Sequence, residues 1–220
     1  MFPHFKAIIF DLDGTLIDSL DLWQELDFAF LKKRGLEVPP DLFFDLQSTG
    51  YKETAQYFKD RFLLPDSVED IMQEWTAMIR PSYENFLTLR KGCYEFLTYL
   101  HQHQYLLALG TNNSVSLAQA VLQSNHIEHY FTALEGGCSN LRGKPAPDIY
   151  LKIAQKLHVL PSSCLVVEDS LSGCTAAVRA KMTVWAIAEK HSKHNESKIR
   201  HLAQFFFQNY ENVLDIFQGL

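Results

Sequence analysis

Six short runs are apolar at nearly every position rather than at alternate ones: AIIF (7–10), LLAL (106–109), FTAL (131–134), CLVV (164–167), TVWAI (183–187) and AQFFF (203–207). A strand wetted on one face alternates, whereas a strand covered on both faces does not. The runs therefore predict a parallel sheet lying between two layers of helices. Helical spacing fills several gaps between them, at Val115–Ser124, Ala146–Leu157 and Leu171–Lys181, with Pro147 suited to a first helical turn. Strand and helix in alternation predict a doubly wound α/β sheet.

Residues 17–86 break that rhythm. Trp23, Leu26, Phe30 and Leu31 recur at helical spacing, and Gly35 is a natural stop. Pro39-Pro40, Leu64-Pro65-Asp66 and Arg80-Pro81 punctuate further helices. The expected organisation is a core of residues 1–16 and 87–220 with a helical insert at 17–86. Such an insert either closes over a site as a lid or packs as a plain helical layer.

Composition narrows the partners. The chain has 220 residues, 47% of them hydrophobic, and a formal net charge of −6. No basic face for nucleic acid is expected from that balance. No run approaches the ~20 apolar residues of a membrane span, and no signal peptide is expected. Cys93, Cys138, Cys164 and Cys174 form no C-x-x-C pair, which suits a reduced, cytoplasmic protein. A monomer is the simplest expectation.

In open α/β sheets, ligands bind beyond the carboxyl ends of the strands. Asp11-Leu12-Asp13-Gly14-Thr15 follows the first run, Gly110-Thr111-Asn112-Asn113 the second, Gly143-Lys144-Pro145 the third after a loop, and Glu168-Asp169-Ser170 the fourth. A parallel sheet would gather these at one edge. Two aspartates in one small space raise each other's pKa unless a cation or a shared proton intervenes, or unless the turn is merely exposed. Asp11 and Asp169 offer hard oxygens suited to Mg²⁺. A carboxylate can attack phosphorus as a nucleophile, and Asp13 can serve as acid and base. Lys144 and Thr111 can meet developing negative charge, and Gly14 lets the turn tighten.

Each group also has an ordinary role. D-x-D-G can be a plain turn, although not an EF-hand, because Ile9 and Leu20 would occupy acid positions. Thr111 can cap a helix, Lys144 can sit in solvent, and Glu168-Asp169 can cap the helix that follows. All four groups in this order make coincidence a poor explanation.

Together DLDGT (11–15), Thr111, GKPAPDIY (143–150) and VVEDSLSG (166–173) resemble the four motifs of haloacid dehalogenase-superfamily hydrolases, over nearly the whole chain. The resemblance implies a Rossmann-like core with a helical cap inserted after the first motif. It implies Asp11 as nucleophile, Asp13 as acid/base, and Mg²⁺ on Asp11, Asp169 and the Asp13 backbone carbonyl, with Glu168 assisting directly or through water. Phosphate would be met by Leu12, Asn112 and Asn113. Lys52 is a candidate substrate contact by alignment with the cap's specificity loop, or a surface lysine. Trp23 and Tyr51 could equally be cap core. His191, His194 and His201 fit no zinc motif and suit a solvated loop.

Asp13 favours phosphate chemistry over dehalogenation, and Trp23 stands where the beta-phosphoglucomutases carry histidine. IDSLDLW (17–23) resembles the 2-deoxyglucose-6-phosphatase and hexitol-phosphatase branch. The expectation is a magnesium-dependent phosphatase of sugar or polyol phosphates, possible phosphoglycolate hydrolysis included. A phosphoglucomutase-type transferase and a non-catalytic binding protein are the alternatives. Three departures from the family pattern stand out. Asn112-Asn113 replaces serines, Arg90-Lys91-Gly92 lacks a proline and should affect only a helix start, and Lys181 replaces a glycine.

Overall fold

The computed structural model describes residues 5–46, 49–137 and 141–219, so Cys138 lies outside the described residues. One parallel sheet holds β1 (Ala7–Phe10), β2 (Leu106–Thr111), β3 (Phe131–Gly136), β4 (Cys164–Glu168), β5 (Thr183–Ile187) and β6 (Phe205–Phe207), in the order β3-β2-β1-β4-β5-β6. β1 lies centrally, with Ile9 opposite both Ala108 and Val166. The strand order reverses at β1, and the edge beyond it is where α/β sheets form their ligand crevice.

All six predicted runs are strands, β1 and β5 with the predicted ends and the other four with shifted ones. β3 continues to Gly136, and β6 begins only at Phe205. Gln204 stays outside β6 but is still tied in. Its amide donates to the Val184 carbonyl at 2.8 Å, and its side chain accepts from the Trp185 indole at 3.0 Å.

The two faces of the sheet differ in bulk. Ile8, Phe10, Leu107, Leu109 and Trp185 face α5 (Cys93–Gln102), α6 (Val115–Ser124) and α10 (Tyr210–Gln218). Ala7, Ala108, Ala133 and Ala186 face α7 (Asp148–Lys156), α8 (Leu171–Arg179) and α9 (Glu196–Leu202). Small side chains on that second face let its helices approach closely. A Cβ on Gly110 would lie 2.8 Å from Ile153 Cδ1.

Among the described residues of 20–85 lie four helices: α1 (Leu20–Lys33), α2 (Leu42–Leu46), α3 (Tyr51–Arg61) and α4 (Val68–Asn85). Phe30, Phe58 and Trp75 meet edge to face, with centroids 5.0–5.8 Å apart. Arg34 lies over the Phe30 ring and pairs with Glu74 of α4 at 2.6 Å. The aromatic cluster is continuous with the bulky layer on the sheet. Pro81 does not end a helix as its position suggested. α4 runs through it, held by buried Ile79 before and Tyr83 after. Packing of that face outweighs the hydrogen bond that proline removes.

Helices on both sheet faces end alike. After α8, the Lys181 amide donates to the Val178 carbonyl and the Met182 amide to that of Ala177. This Schellman turn needs a left-handed residue, and Lys181 has φ +61°. Gln104, His126 and His158 take the same position after α5, α6 and α7. The residues that follow (Tyr105, Ile127, Val159, Met182) all pack against the core, which repays the strain. Lys181→Gly should therefore stabilise the protein by about 0.5–1 kcal/mol, read as a higher urea midpoint at unchanged slope.

Candidate active site

β1 ends at Phe10, and its register carries the next amide on: Asp11 N–H donates to the Val167 carbonyl of β4 at 3.0 Å. The chain then folds back, with Gly14 at φ +86°. A Cβ there would lie 2.7 Å from Asp169 Oδ2, so Gly14 answers both the turn and the close approach of the acid. Thr15 Oγ1 donates to Asp169 Oδ1 at 2.8 Å.

Lys144 reaches between strand ends. Its Nζ lies 2.5 Å from Asp11 Oδ1 and 2.7 Å from Glu168 Oε1, and all three side chains are buried. Asn112 positions the lysine, accepting from its backbone amide at 2.7 Å and donating to its carbonyl at 3.3 Å. Tyr150 OH donates to Glu168 Oε1 at 2.9 Å. Glu168 Oε2 accepts from the amides of Asp169 and Ser170, each at 2.9 Å. Ser170, not the acid pair, caps α8, accepting from Gly173 N–H at 3.0 Å.

Asp13 is held differently, by neutral donors. Ser19 (2.7 Å), Trp23 Nε1 (3.3 Å) and the Tyr83 hydroxyl donate to Oδ1, and Asn113 Nδ2 donates to Oδ2 at 3.3 Å. Among the described residues no cation pairs with Asp13. Taking up a proton there breaks no ion pair.

The buried charges do not balance. Burial pushes Asp11 up to about 7 even though Lys144 opposes it. Asp169 is driven well above the usual carboxylate range by burial and by the charges of Glu168 and Asp11. For Glu168 burial also opposes the charge, but Lys144 holds it below its ordinary value. Burial likewise works against the Lys144 ammonium, and Asp11 with Glu168 keeps it above the ordinary lysine value. Two like charges about 4 Å apart cost on the order of 4 kcal/mol at an effective dielectric near 20.

Oxygens of Asp11, Glu168 and Asp169 all lie within 4.8 Å of one another. Buried carboxylates in excess of cations, offering hard oxygens, fit a divalent ion such as Mg²⁺. Both Glu168 oxygens already accept protein hydrogen bonds, which leaves Asp11 and Asp169 the freer ligands.

Other expected residues fall at varying removes. Thr111 lines the cavity at the end of β2 and braces the next turn, its Oγ1 accepting from Asn113 N–H at 3.0 Å. It caps no helix, since Ser114 caps α6. Leu12, expected to meet phosphate, is wholly buried and does not line the cavity, and its carbonyl accepts from the amides of Thr15, Leu16 and Ile17. Asn112 and Asn113 both line the cavity while spending amide groups on the protein itself. Lys52 is exposed, 3.9 Å from Glu69, whereas its neighbour Tyr51 lines the cavity with Trp23. His191 pairs with Asp21 at 2.8 Å, His194 contacts Asn195, and His201 is exposed on α9.

Sequence reading missed four groups. Tyr83 bonds Asp13, and Tyr150 bonds Glu168. Arg90, expected to affect only a helix start, donates to the Gly14 and Ala188 carbonyls and so ties the loop after β1 to the end of β5. Asp27 of α1 is 8% exposed and lines the same cavity. Its signal was an acid on the face that carries Trp23, Phe30 and Leu31.

The family model described as haloacid dehalogenase-like hydrolase matches residues 8–187. The chain belongs to this family. It is a hydrolase of the phosphoric monoester type. The chain is 29% identical over 175 residues to a phosphorylated carbohydrates phosphatase of Thermotoga maritima, covering 80% of this chain and 81% of that protein. It is 30% identical to hexitol phosphatase A of Escherichia coli, covering 83% and 82%. The fold is similar to that of CbbY from Rhodobacter sphaeroides, solved with phosphate, at TM-score 0.83 and 23% identity over 94% of this chain and 95% of that one. Among the described residues no helix is long and apolar enough to cross a membrane.

Two outcomes follow from this geometry. A Cβ on Gly173 would lie 1.6 Å from Glu168 Oε1, so α8 cannot keep its place in Gly173→Ala. That variant should lose about 1–3 kcal/mol in urea unfolding, and at least about tenfold in kcat/KM. Burial also raises Asp27 to about 7 from its ordinary 3.8. The folded state then holds the proton more tightly than the unfolded chain. Stability is lost as pH rises from about 4 through 7, and none is lost below that window. Asp27→Asn should remove this slope, its advantage over wild type growing by about 2–3 kcal/mol between pH 5 and pH 8.

Proposed function

We propose that the protein is a Mg²⁺-dependent phosphatase of small phosphorylated metabolites, sugar or polyol phosphates foremost, acting through a phosphoryl group carried on Asp11. The observation that carries this reading is the division of labour between two aspartates. Asp11 is locked by the Lys144 ammonium, while Asp13 is held by neutral donors only.

Lys144 fixes the rotation of the Asp11 carboxylate and sets positive charge beside the attacking group. Asp11 attacks phosphorus as the ester oxygen departs, and Asp13 gives that oxygen its proton. Asp13, now ionised, takes a proton from water, which attacks the aspartyl-phosphate and frees phosphate. Asp11 and Asp169 are the residues that would hold Mg²⁺. The ion would supply charge neutralisation to the acids and to the phosphoryl oxygens. Residues 17–86 supply the cavity wall facing the leaving group, through Trp23, Tyr51 and Trp75. The cavity measures ≈ 260 Å³, in keeping with a small ester.

A mutase reading gains nothing from this site. The indole of Trp23 donates to Asp13 but has no basic atom to accept a proton. A purely binding role leaves the intact acid set without purpose.

Phosphate release from a panel of sugar, polyol and glycolate phosphates tests the reading. Turnover should vanish with EDTA, return with Mg²⁺, and fall about 1,000-fold or more in Asp11→Asn. Near-wild-type turnover in a folded Asp11→Asn variant would sink it.

A further inference from the structure

Asp27 is a buried acid without a partner. Among the described residues its carboxylate makes no hydrogen bond or ion pair, although only 8% of the residue is exposed. It lines the catalytic cavity together with Trp23, Tyr51, Asp11 and Lys144. An adjoining cavity shares Asp27 and reaches His191 and His194. Neither cavity has any other lysine or arginine than Lys144 among its described lining residues. Lys144 is already committed to Asp11 and Glu168.

This arrangement says what kind of leaving group fits. An unpaired carboxylate in an apolar wall costs stability, so its acceptor oxygens are worth most to a ligand that brings donors. Sugar and polyol hydroxyls are such donors, and aromatic walls suit their C–H faces. A second anionic group would be desolvated beside Asp27 with no free lysine or arginine among the described lining residues to receive it. The distal part of a bisphosphate, or the carboxylate of a glycolyl ester, is such a group.

Resting on the phosphatase reading, we propose that Asp27 determines leaving-group specificity: it accepts hydroxyls of a neutral polyhydroxy leaving group and rejects esters whose leaving group is itself anionic. The residue acts on recognition and takes no part in the phosphoryl step.

The test uses the purified full chain with Mg²⁺ and four esters: sorbitol 6-phosphate, phosphoglycolate, a hexose bisphosphate and p-nitrophenyl phosphate, which carries no hydroxyl donors. Wild type should favour the polyol ester over both anionic ones by about tenfold or more in kcat/KM. In Asp27→Asn the ratio of polyol to p-nitrophenyl ester should fall about tenfold, mainly through KM, while the phosphoglycolate-to-polyol ratio rises. A structural role alone would move all four esters together. Asp27→Leu provides a second folded variant if the amide unfolds, and should shift the polyol ratio the same way. Equal use of anionic and neutral esters by wild type, unchanged ratios in both variants, or preference for an amino-sugar phosphate over its hydroxyl counterpart would overturn the inference. If wild type hydrolyses p-nitrophenyl phosphate through Asp11 while the ratios stay flat, the inference alone falls. No release from any ester would bring down the phosphatase reading and this inference with it.

Discussion

A single ammonium group buried among acids organises this molecule. Lys144 bridges Asp11 at the end of β1 and Glu168 at the end of β4, two strands that pair directly. Losing it would leave two desolvated carboxylates facing each other, a cost of several kcal/mol. Much of the surrounding structure serves to hold that ammonium in place. Asn112 grips its backbone, Tyr150 shares Oε1 of Glu168 with the ammonium, two amides occupy Oε2, and Gly173 leaves the acid room. One positive charge does not neutralise three buried carboxylates, and that excess of acid oxygens fits the cation proposed for the crevice.

In the proposed phosphatase, chemistry and recognition come from different parts of the chain. Strand ends supply Asp11, Glu168 and Asp169, and the loop between β3 and α7 supplies Lys144. Helices α1 to α4 supply Trp23, Asp27, Tyr51 and Trp75. The two parts share one apolar layer, since the bulky face of the sheet runs on into the aromatic cluster of those helices. The opposite face, where alanines and Gly110 lie among Ile9, Val166 and Val184, brings α7 and α8 close enough for Tyr150 and Gly173 to meet Glu168.

The sheet and its acids were legible in the sequence because both are local. Apolar runs that stop on Asp11 and Glu168 mark two strand ends, and Thr111 and Lys144 after the other two runs complete the crevice in order. Boundaries were less legible. β6 lost Ala203 and Gln204 because edge pairing reaches only Phe205, and Pro81 failed to stop α4 because Ile79 and Tyr83 bury on either side of it. Tyr83, Arg90 and Tyr150 act across 70, 76 and 18 residues of chain, so no short motif announced them. Asp27 had a local signal, an acid on a buried helical stripe, and its meaning emerged only when the stripe proved to border the cavity. Asn112 and Asn113, read as phosphate donors, spend amide groups on Lys144 and Asp13, a use visible only in three dimensions.

The donors to Asp13 carry a further implication. Ser19, Trp23 and Tyr83 all belong to the stretch that shapes the leaving-group wall, yet they terminate on an acid of the reacting centre. A lineage free to remodel that stretch for new esters would not be free at these three positions, nor could a foreign segment be grafted in unless it brought equivalent hydroxyl and indole tethers. Diversification of this scaffold is thereby channelled. On the proposed mechanism the wall can drift, but its anchor points to Asp13 must be inherited intact.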